Sequence, residues 1–228
     1  MIDNKIVLGL IPARGGSKGI KDKNIVDLCG KPLISYTIDA AKKSKYIDDV
    51  VISTDSEKIA KVANEYGAEV PFLRPESLAT DTAKTIDAVI SAIEMLQEMG
   101  RTYDILVLLQ PTQPLRTSYD IDEALEKFLQ NEEKGLVSIC QANESPLLVR
   151  SLNENGEMKK LLEISSTCRR QDMPTFYKIN GCIYINSISS IDNELSFNDN
   201  PIPYIMPKER SIDIDEMEDL ILAEYYLK

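Results

Sequence analysis

The alternation of short apolar runs with amphipathic segments constrains the fold of this 228-residue chain more than any other feature. Apolar runs at 5–11, 49–53, 69–73, 105–109 and 136–140 predict five strands. Apolar residues at helical spacing predict helices between and after them, at 32–43, 56–66, 82–99 and 119–129. This order predicts an α/β fold, in which a mostly parallel, twisted sheet carries helices on both faces.

The alternation of predicted strands and helices ends at about residue 141. Segments 146–152 and 157–162 predict two strands around the turn signal Asn153-Glu154-Asn155-Gly156. After a polar stretch, further strands are predicted at 177–186 and 202–206, and a helix at 216–227. We therefore predict a single domain over 1–228 with an arm inserted at about 141–175. We expect the arm to serve dimerisation, and the alternative is an ordinary surface hairpin.

Composition argues against several classes of function. The chain has 26 basic and 37 acidic residues, a net charge of −11, which disfavours binding to nucleic acid or to an anionic membrane. No apolar stretch approaches the roughly 20 residues that cross a bilayer, and no signal peptide is evident, so we expect a cytoplasmic protein. Histidine is absent, which excludes mechanisms with a histidine base, metal ligand or nucleophile partner. The four cysteines lack CxxC spacing and are predicted to be free thiols.

The loop after the first strand combines glycines with cations, in the order Pro12-Ala13-Arg14-Gly15-Gly16-Ser17-Lys18-Gly19. Open α/β sheets bind ligands at the carboxyl ends of their strands. Glycines let the backbone approach an anion closely, and the two cations add positive charge. The loop therefore predicts a phosphate site, and the alternative is a plain tight turn. Because it matches neither GxxxxGK[ST] nor GxGxxG, it argues against a dinucleotide oxidoreductase.

A second loop, QPTQPLR at 110–116, follows the apolar run ILVLL. Two prolines stiffen it, and Gln110 can both donate and accept hydrogen bonds, as recognition of a base requires. The alternative is a stiffened connection into the next helix. Arg74 precedes Pro75 at another strand end, and taken alone it is more typical of a surface arginine.

The segment Ser211-Ile212-Asp213-Ile214-Asp215 alternates apolar and acidic residues. An extended backbone would bury the isoleucines and place the two carboxylates on the other side, with Cβ atoms about 6–7 Å apart. Carboxylates, phosphate oxygens and water are the ligands that Mg²⁺ prefers. The alternative, which does not exclude a metal, is that Asp215 caps the following helix while Asp213 is solvated.

A group of cationic and amide residues in the last third of the chain predicts an anionic partner. It comprises Arg169, Arg170, Gln171, Lys178, Asn180 and Gly181. The alternative is a solvated polar arm.

Five elements, in order over nearly the whole chain, together resemble the acylneuraminate cytidylyltransferases. They are IPARGGSKG with Lys23-Asn24, LRP followed by LATDT, QPTQPLR, the Arg170-Gln171 and Asn180-Gly181 pairs, and SIDID. The resemblance implies a nucleotide-diphospho-sugar transferase-like fold and a homodimer whose arm reaches the neighbouring site. It also implies a Mg²⁺-dependent reaction, in which CTP and a nine-carbon 2-keto acid sugar give the CMP-sugar and pyrophosphate.

The same resemblance implies roles for individual residues. The implied catalytic residues are Lys18, Arg14 and Asp213. The implied nucleotide-binding residues are Ala13, Arg14, Gly15, Gly16, Ser17, Lys23, Asn24, Arg74, Thr80 and Asp81. The implied substrate-binding residues are Gln110, Arg170, Gln171, Lys178 and Asn180. The implied metal ligands are Asp213 and Asp215.

Two departures from the family pattern concern the acceptor sugar. Leu148 stands where some bacterial members have lysine, and Lys178 stands where some have arginine. Lysine does not reproduce the bidentate grip of arginine on a carboxylate. The resemblance implies N-acylneuraminate as the acceptor, and the two departures favour the alternatives, legionaminic and pseudaminic acids. A non-catalytic nucleotide-binding module is a more distant alternative.

Overall fold

The computed structural model describes residues 1–17, 19–165, 167, 169 and 172–228. The described residues form ten strands: β1 Val7–Pro12, β2 Asp27–Leu28, β3 Lys31–Pro32, β4 Asp49–Ser53, β5 Ile105–Leu109, β6 Leu136–Gln141, β7 Arg150–Leu152, β8 Met158–Lys160, β9 Tyr177–Ser187 and β10 Ile202–Ile205. Six of them form the central sheet, in the order β10-β6-β9-β5-β1-β4. The short pairs β2–β3 and β7–β8 form separate ribbons.

The central sheet is mostly parallel, as the sequence predicts. Strand β1 pairs in parallel with β4 and β5, and β6 pairs in parallel with β10. The long strand β9 runs antiparallel between β5 and β6. Because β1, β4 and β5 are parallel, their carboxyl ends meet at one edge, where Pro12 lies opposite Ser53.

Five helices are described: α1 Leu33–Lys43, α2 Glu57–Glu65, α3 Thr85–Glu98, α4 Ser118–Gln130 and α5 Met217–Leu227. Helices α1, α2 and α4 bury their apolar stripes in one core cluster, and α3 buries its stripe in a second cluster with the other set of strand side chains. The prediction of helices on both faces is confirmed. Within the described chain, no helix has the length and apolar character needed to cross a membrane.

The predicted strand at 69–73 is wrong. Only isolated parallel bridges occur there, Val51 with Glu69 and Thr54 with Leu73. Pro71 lies between them, and proline has no backbone N–H to donate to a ladder. The segment therefore follows the edge of β4 without forming a strand.

The segment between β6 and β9 contains the predicted hairpin in shortened form. Strands β7 and β8 have three residues each, and they pair antiparallel through Arg150 with Lys160 and Leu152 with Met158. The turn places Gly156 at φ +79°, a left-handed conformation that glycine adopts without strain. The division into one domain with an inserted arm, and the role of that arm in dimerisation, stay predictions.

Candidate active site

The carboxyl edge of β1, β4 and β5 borders a cavity of about 550 Å³. Eight of the ten predicted nucleotide-binding residues line it: Arg14, Gly16, Ser17, Lys23, Asn24, Arg74, Thr80 and Asp81. The other two belong to the same loop but do not line the cavity. Ala13 is fully buried, and the N–H of Gly15 bonds to Asp55. The structure thus brings together predicted residues that lie up to 67 positions apart in the sequence, Arg14 and Asp81.

The glycine loop is held from below by hydrogen bonds. The N–H of Gly15 donates to Asp55 Oδ1 over 2.8 Å, and Asn24 Nδ2 donates to the carbonyl oxygen of Arg14 over 2.9 Å. A Cβ atom on Gly15 would lie 3.1 Å from the Cβ of Ser56, so the chain approaches α2 closely here. These contacts fix the loop while leaving Gly16 and Ser17 at the cavity.

Arg14 reaches across the cavity to two other predicted residues. Its Nη1 donates to the carbonyl oxygen of Thr80 over 3.0 Å, and its Nη2 lies 2.9 Å from Asp81 Oδ1. Both side chains of the ion pair are more than a third exposed, so the pair contributes less than about 1 kcal/mol to stability. A bound anion can therefore replace Asp81 as the partner of Arg14.

Arg74 is buried, in contrast to the surface position expected for an isolated arginine. Its Nε donates to Ser53 Oγ over 3.1 Å, and its Nη2 donates to the Ser53 carbonyl oxygen. Burial lowers the pKa of Arg74, and the charge of nearby Asp55 opposes that shift. Arg74 thus places a fixed positive charge on the wall of the cavity, at the end of β4.

The two ends of the chain meet at this cavity. Lys23 Nζ lies 2.9 Å from Asp215 Oδ1. A Cβ atom on Gly19 would lie only 2.5 Å from the carbonyl oxygen of Asp215, so glycine is required for this approach. The glycine loop and Asp215 therefore lie at the same cavity.

A second and larger cavity, about 910 Å³, adjoins the first. Gln110 and Asp215 line both cavities. The other predicted residues that line the larger one are Lys178, Asn180 and Asp213. Two ligands that occupy these cavities would meet beside Gln110 and Asp215.

Gln110 packs against the backbone of β9. Gly181 has φ +74°, and a Cβ atom there would lie 3.3 Å from Gln110 Oε1. The buried Arg116 donates from Nη1 to the carbonyl oxygen of Cys182 over 2.8 Å and to that of Gln110 over 3.4 Å. The loop 110–116 is thereby fixed to β9, beyond what its prolines alone would give.

The Asn180 side chain makes its hydrogen bonds in the interior of the protein. Its Oδ1 accepts from Ser138 Oγ over 2.6 Å and from the N–H of Cys182 over 3.1 Å, and its Nδ2 donates to Ser211 Oγ over 2.9 Å. Its carbonyl oxygen accepts from Gln113 Nε2 over 2.5 Å. Asn180 thus positions the start of the aspartate segment, and its role in binding substrate stays a prediction.

Asp213 lies half-buried between the two isoleucines, which both pack in a third apolar cluster. Burial raises the pKa of Asp213, and a hydrogen bond with Thr112 opposes that rise. Its Oδ1 is buried and has no hydrogen-bond partner among the described residues. A buried carboxylate oxygen without a donor is suited to a cation, so the donor chemistry fits the predicted metal.

Asp215 does not cap α5, contrary to the alternative interpretation. Glu216 occupies the N-cap position, and the carboxylate of Asp219 accepts from the N–H groups of Asp215 and Glu216 over 3.0 and 2.9 Å. The Asp215 side chain is 72% exposed and bonds Lys23 instead. In the described part of the chain, no three Cys, Asp or Glu side chains are grouped to hold a metal ion. A cation at Asp213 and Asp215 would therefore need ligand oxygens to complete its shell.

Several residues at the two cavities were not predicted from the sequence. Asp55 follows β4 by two residues, a position that the strand-end rule could have identified. Lys84 lines the smaller cavity and Tyr184, Asn198 and Lys208 line the larger one, and no local pattern marks them. Burial raises the pKa of Tyr184 to about 12, so it remains a neutral hydroxyl there.

Three predicted residues, Lys18, Arg170 and Gln171, lie outside the described residues. Their catalytic and binding roles stay predictions.

Comparison with known proteins identifies the relatives of this chain. The family model described as Cytidylyltransferase matches residues 8–222. The pseudaminic acid cytidylyltransferase of Campylobacter jejuni is 37% identical over 97% of this chain and 96% of its own length. The CMP-N,N'-diacetyllegionaminic acid synthase of Legionella pneumophila is 39% identical over 96% of this chain and 94% of its own.

Further similarities extend the range of relatives. The N-acylneuraminate cytidylyltransferase of Escherichia coli is 36% identical over 95% of this chain and 51% of its own length. A CMP:2-keto-3-deoxy-manno-octonic acid synthetase, solved with CTP, matches with a TM-score of 0.72, at 15% identity, over 97% of this chain and 98% of that one. That similarity shows a shared fold. The family model and the sequence matches over almost the whole length show that the chain belongs to the cytidylyltransferase family.

Proposed function

We propose that this protein transfers the cytidylyl group of CTP to a nine-carbon 2-keto acid sugar and releases pyrophosphate. The observation that carries the proposal is the junction of two cavities at Gln110 and Asp215. A nucleotide in the smaller cavity and a sugar in the larger one would bring their reacting groups to that junction. Holding two reactants in line is worth several powers of ten in rate.

The charge of the smaller cavity supports its assignment to the triphosphate. Although the chain is strongly acidic overall, four of the described residues that line this cavity are cationic: Arg14, Lys23, Arg74 and Lys84. Arg14 and Lys23 form partly exposed ion pairs with Asp81 and Asp215, which phosphate oxygens can replace, and Arg14 also donates to the Thr80 carbonyl oxygen. Arg74 is fixed by its bonds to Ser53 and keeps its place when a ligand enters.

The larger cavity is assigned to the acid sugar. Lys178 on β9 lies opposite Cys140, and Lys208 follows β10, two residues after Met206 bonds to Ile139. These two lysines therefore flank the end of β6 and offer cationic partners for the sugar carboxylate. Gln110 lies between the base and the sugar and can bond to either.

In the chemical step, the anomeric hydroxyl oxygen attacks the α-phosphorus of CTP. The bond from that phosphorus to the oxygen that bridges to the β-phosphorus breaks, and pyrophosphate leaves with the bonding electrons. The proton of the hydroxyl passes to a carboxylate or to the substrate itself, since the chain has no histidine. Arg14, together with Lys18 by family resemblance, balances the charge that accumulates on the leaving group.

We further propose Mg²⁺ as the cofactor, held by Asp213 and Asp215. The unpartnered buried oxygen of Asp213 supports this role. When bound, the ion would neutralise phosphate charge and polarise the α-phosphoryl group. Lys23, which bonds Asp215 and lines the smaller cavity, would exchange that carboxylate for phosphate oxygens when the ion binds Asp215.

The exact acceptor is a further part of the proposal. N-acylneuraminate is the predicted acceptor, and legionaminic and pseudaminic acids are the alternatives. Relatives named for these three acids are 36%, 39% and 37% identical to this chain, so identity alone does not rank them. All three acids present a carboxylate and an anomeric hydroxyl to the same cavity.

We also propose that the chain forms a homodimer through the arm. The arm exposes apolar side chains that a second copy would cover: Leu148, Leu152, Met158, Leu161 and Ile164. Light scattering of the intact chain at micromolar concentration tests this, and a monomer mass would refute it.

The central experiment incubates the purified chain with CTP, Mg²⁺ and each of the three acids, alone and in competition. We expect stoichiometric pyrophosphate and a CMP-sugar identified by mass. Binding of CTP without release of its pyrophosphate in the presence of any of the three acids would favour the alternative of a non-catalytic nucleotide-binding module.

A further inference from the structure

Arg210 turns away from the cavities, although its neighbours in the sequence face them. Glu209 and Ser211 both line the larger cavity, whereas Arg210 lines neither of the two cavities. Its guanidinium is directed towards α4, where Nη2 lies 2.9 Å from Asp120 Oδ1. The charge of Arg210 therefore acts within the protein and does not face a substrate.

Asp120 is fully buried in the first turn of α4 and depends on this partner. Its Oδ2 accepts from the N–H of Thr117 over 2.9 Å and from the Thr117 hydroxyl over 2.6 Å, which closes the N-terminus of α4 as a capping box. Its Oδ1 accepts from Arg210 and, over 3.3 Å, from the Tyr204 hydroxyl. Because a buried carboxylate without a counter-charge is strongly disfavoured, the ion pair holds the two segments together.

The pair joins two segments that border the reaction centre. Helix α4 follows directly on the loop 110–116, which contributes to the lining of both cavities. Arg210 directly precedes the aspartate segment. The Ile214 N–H donates to the Thr112 carbonyl oxygen over 2.9 Å, which joins the same loop to the middle of that segment. The position of Asp213 relative to the loop therefore depends on an ion pair before it and a backbone bond after it.

We infer that Arg210 and Asp120 form a positioning pair, which places the carboxylates of Asp213 and Asp215 for the metal ion and the two reactants. This inference rests on the proposed function, because it takes the two aspartates as the metal ligands. Neither member of the pair touches substrate, and both act through the backbone of the aspartate segment. Residues that orient metal ligands in this way typically contribute roughly 10- to 100-fold to metal affinity or activity.

Asp122 supplies a matched control on the same helix. It is 5% exposed, and its Oδ1 accepts from the Ser44 hydroxyl over 2.6 Å and from the Lys45 N–H over 3.1 Å. Both partners follow the end of α1, and Asp122 lines neither of the two cavities. Asp120→Asn and Asp122→Asn thus remove the same charge from buried positions of one helix, but only the first change affects Arg210.

The binding test uses titration calorimetry with CTP, once in Mg²⁺ and once in EDTA, below the melting temperature of every variant. We expect Mg²⁺ to strengthen CTP binding to the wild-type protein. Arg210→Met and Asp120→Asn should lose most of that strengthening, whereas their affinity in EDTA should stay at the wild-type value because the residues of the smaller cavity are unchanged. Asp122→Asn should behave as the wild-type protein in both solutions.

The kinetic test measures kcat in the same proteins. Arg210→Met and Asp120→Asn should each reduce kcat by about tenfold or more, and Arg210→Lys, which keeps the charge, should reduce it less. The double variant should be no more impaired than the weaker single variant, because the two residues act as one pair. If Arg210→Met fails to fold, the double variant, which removes both buried charges, provides the same test.

A pair that only stabilises the fold would give a different result. The Arg210 and Asp120 variants would then melt earlier but keep the wild-type kcat and the wild-type response to Mg²⁺, which would overturn the inference. An equal loss of kcat in Asp122→Asn would overturn it as well. Absence of product from wild-type protein with CTP and all three acids would instead refute the proposed function. A wild-type affinity for CTP that is the same in Mg²⁺ and in EDTA would refute the proposed metal role, and the inference with it.

Discussion

Replacing Asn180 with alanine should destabilise the protein before it affects any ligand. The substitution removes the acceptor for the Cys182 N–H and the bonds to Ser138 and Ser211, all in the interior. Ser138 Oγ still accepts from the Ile183 N–H, and Ser211 Oγ still donates to the Pro207 carbonyl oxygen. Two buried donors, the Cys182 N–H and the Ser138 hydroxyl, therefore lose their acceptor.

The magnitude follows from this count. An unsatisfied buried donor costs about 1–3 kcal/mol, and each lost hydrogen bond contributes about 0.5–1.5 kcal/mol. We expect the free energy of unfolding to fall by about 3 kcal/mol. For a chain of this length, that corresponds to a decrease in melting temperature of roughly 6 to 12 °C. Urea unfolding, followed by circular dichroism, measures the free energy directly.

Asn198→Ala is the matched control, because Asn198 is exposed and accepts a single hydrogen bond, from the Tyr184 hydroxyl over 3.1 Å. It should lower stability by less than about 1 kcal/mol. An Asn180→Ala protein that unfolds at the wild-type urea concentration, yet has a KM for the acid raised tenfold, would refute the reasoning. Asn180 would then be a direct ligand of the substrate, as the sequence interpretation has it.

Three further predictions test other contacts. Gly19→Ala should lower stability by about 1–3 kcal/mol and reduce turnover, because its Cβ would clash with the Asp215 carbonyl oxygen; wild-type melting and turnover would contradict this. Asp213→Asn should reduce product formation at least about 100-fold at saturating Mg²⁺ while the melting temperature stays within a few degrees. A hydrogen bond from Lys5 lowers the pKa of Glu133, so Glu133→Gln should reduce stability by less than about 1 kcal/mol at neutral pH. Since a lowered carboxyl pKa stabilises the fold only above it, urea midpoints of the two proteins should converge as the pH falls through that pKa.

The elements of the fold were predictable wherever a single local pattern decided them. The run 105–109 coincides with β5, and the stripe at 82–99 contains all of α3, because burial of continuous or periodic apolar residues fixes both. The run 69–73 has the same apolar character, but the strand predicted there does not form. Its outcome depends on the backbone bonds that Pro71 cannot make, so apolar character alone did not determine it.

The site was predictable at strand ends and not elsewhere. Parallel strands bring their carboxyl ends to one edge, so the loops that begin with Ala13 and Gln110 could be assigned to a common site. The contact of Lys23 with Asp215 joins residues 192 positions apart, and no local pattern fixes that distance. Lys208 and Leu222, which line the larger cavity, likewise depend on how the last strand and helix pack.

The polar residues of the site belong to two physical kinds that look alike in sequence. Arg74 and Asn180 are buried, and several hydrogen bonds fix each of them, so they set the positions of other groups. Arg14, Lys23 and Asp215 are more exposed, and they form ion pairs that a ligand charge can replace. Substitutions of the first kind should therefore lower stability and activity together, whereas substitutions of the second kind should lower activity alone. Burial separates the two kinds, and burial is decided by packing between segments that are remote in the chain.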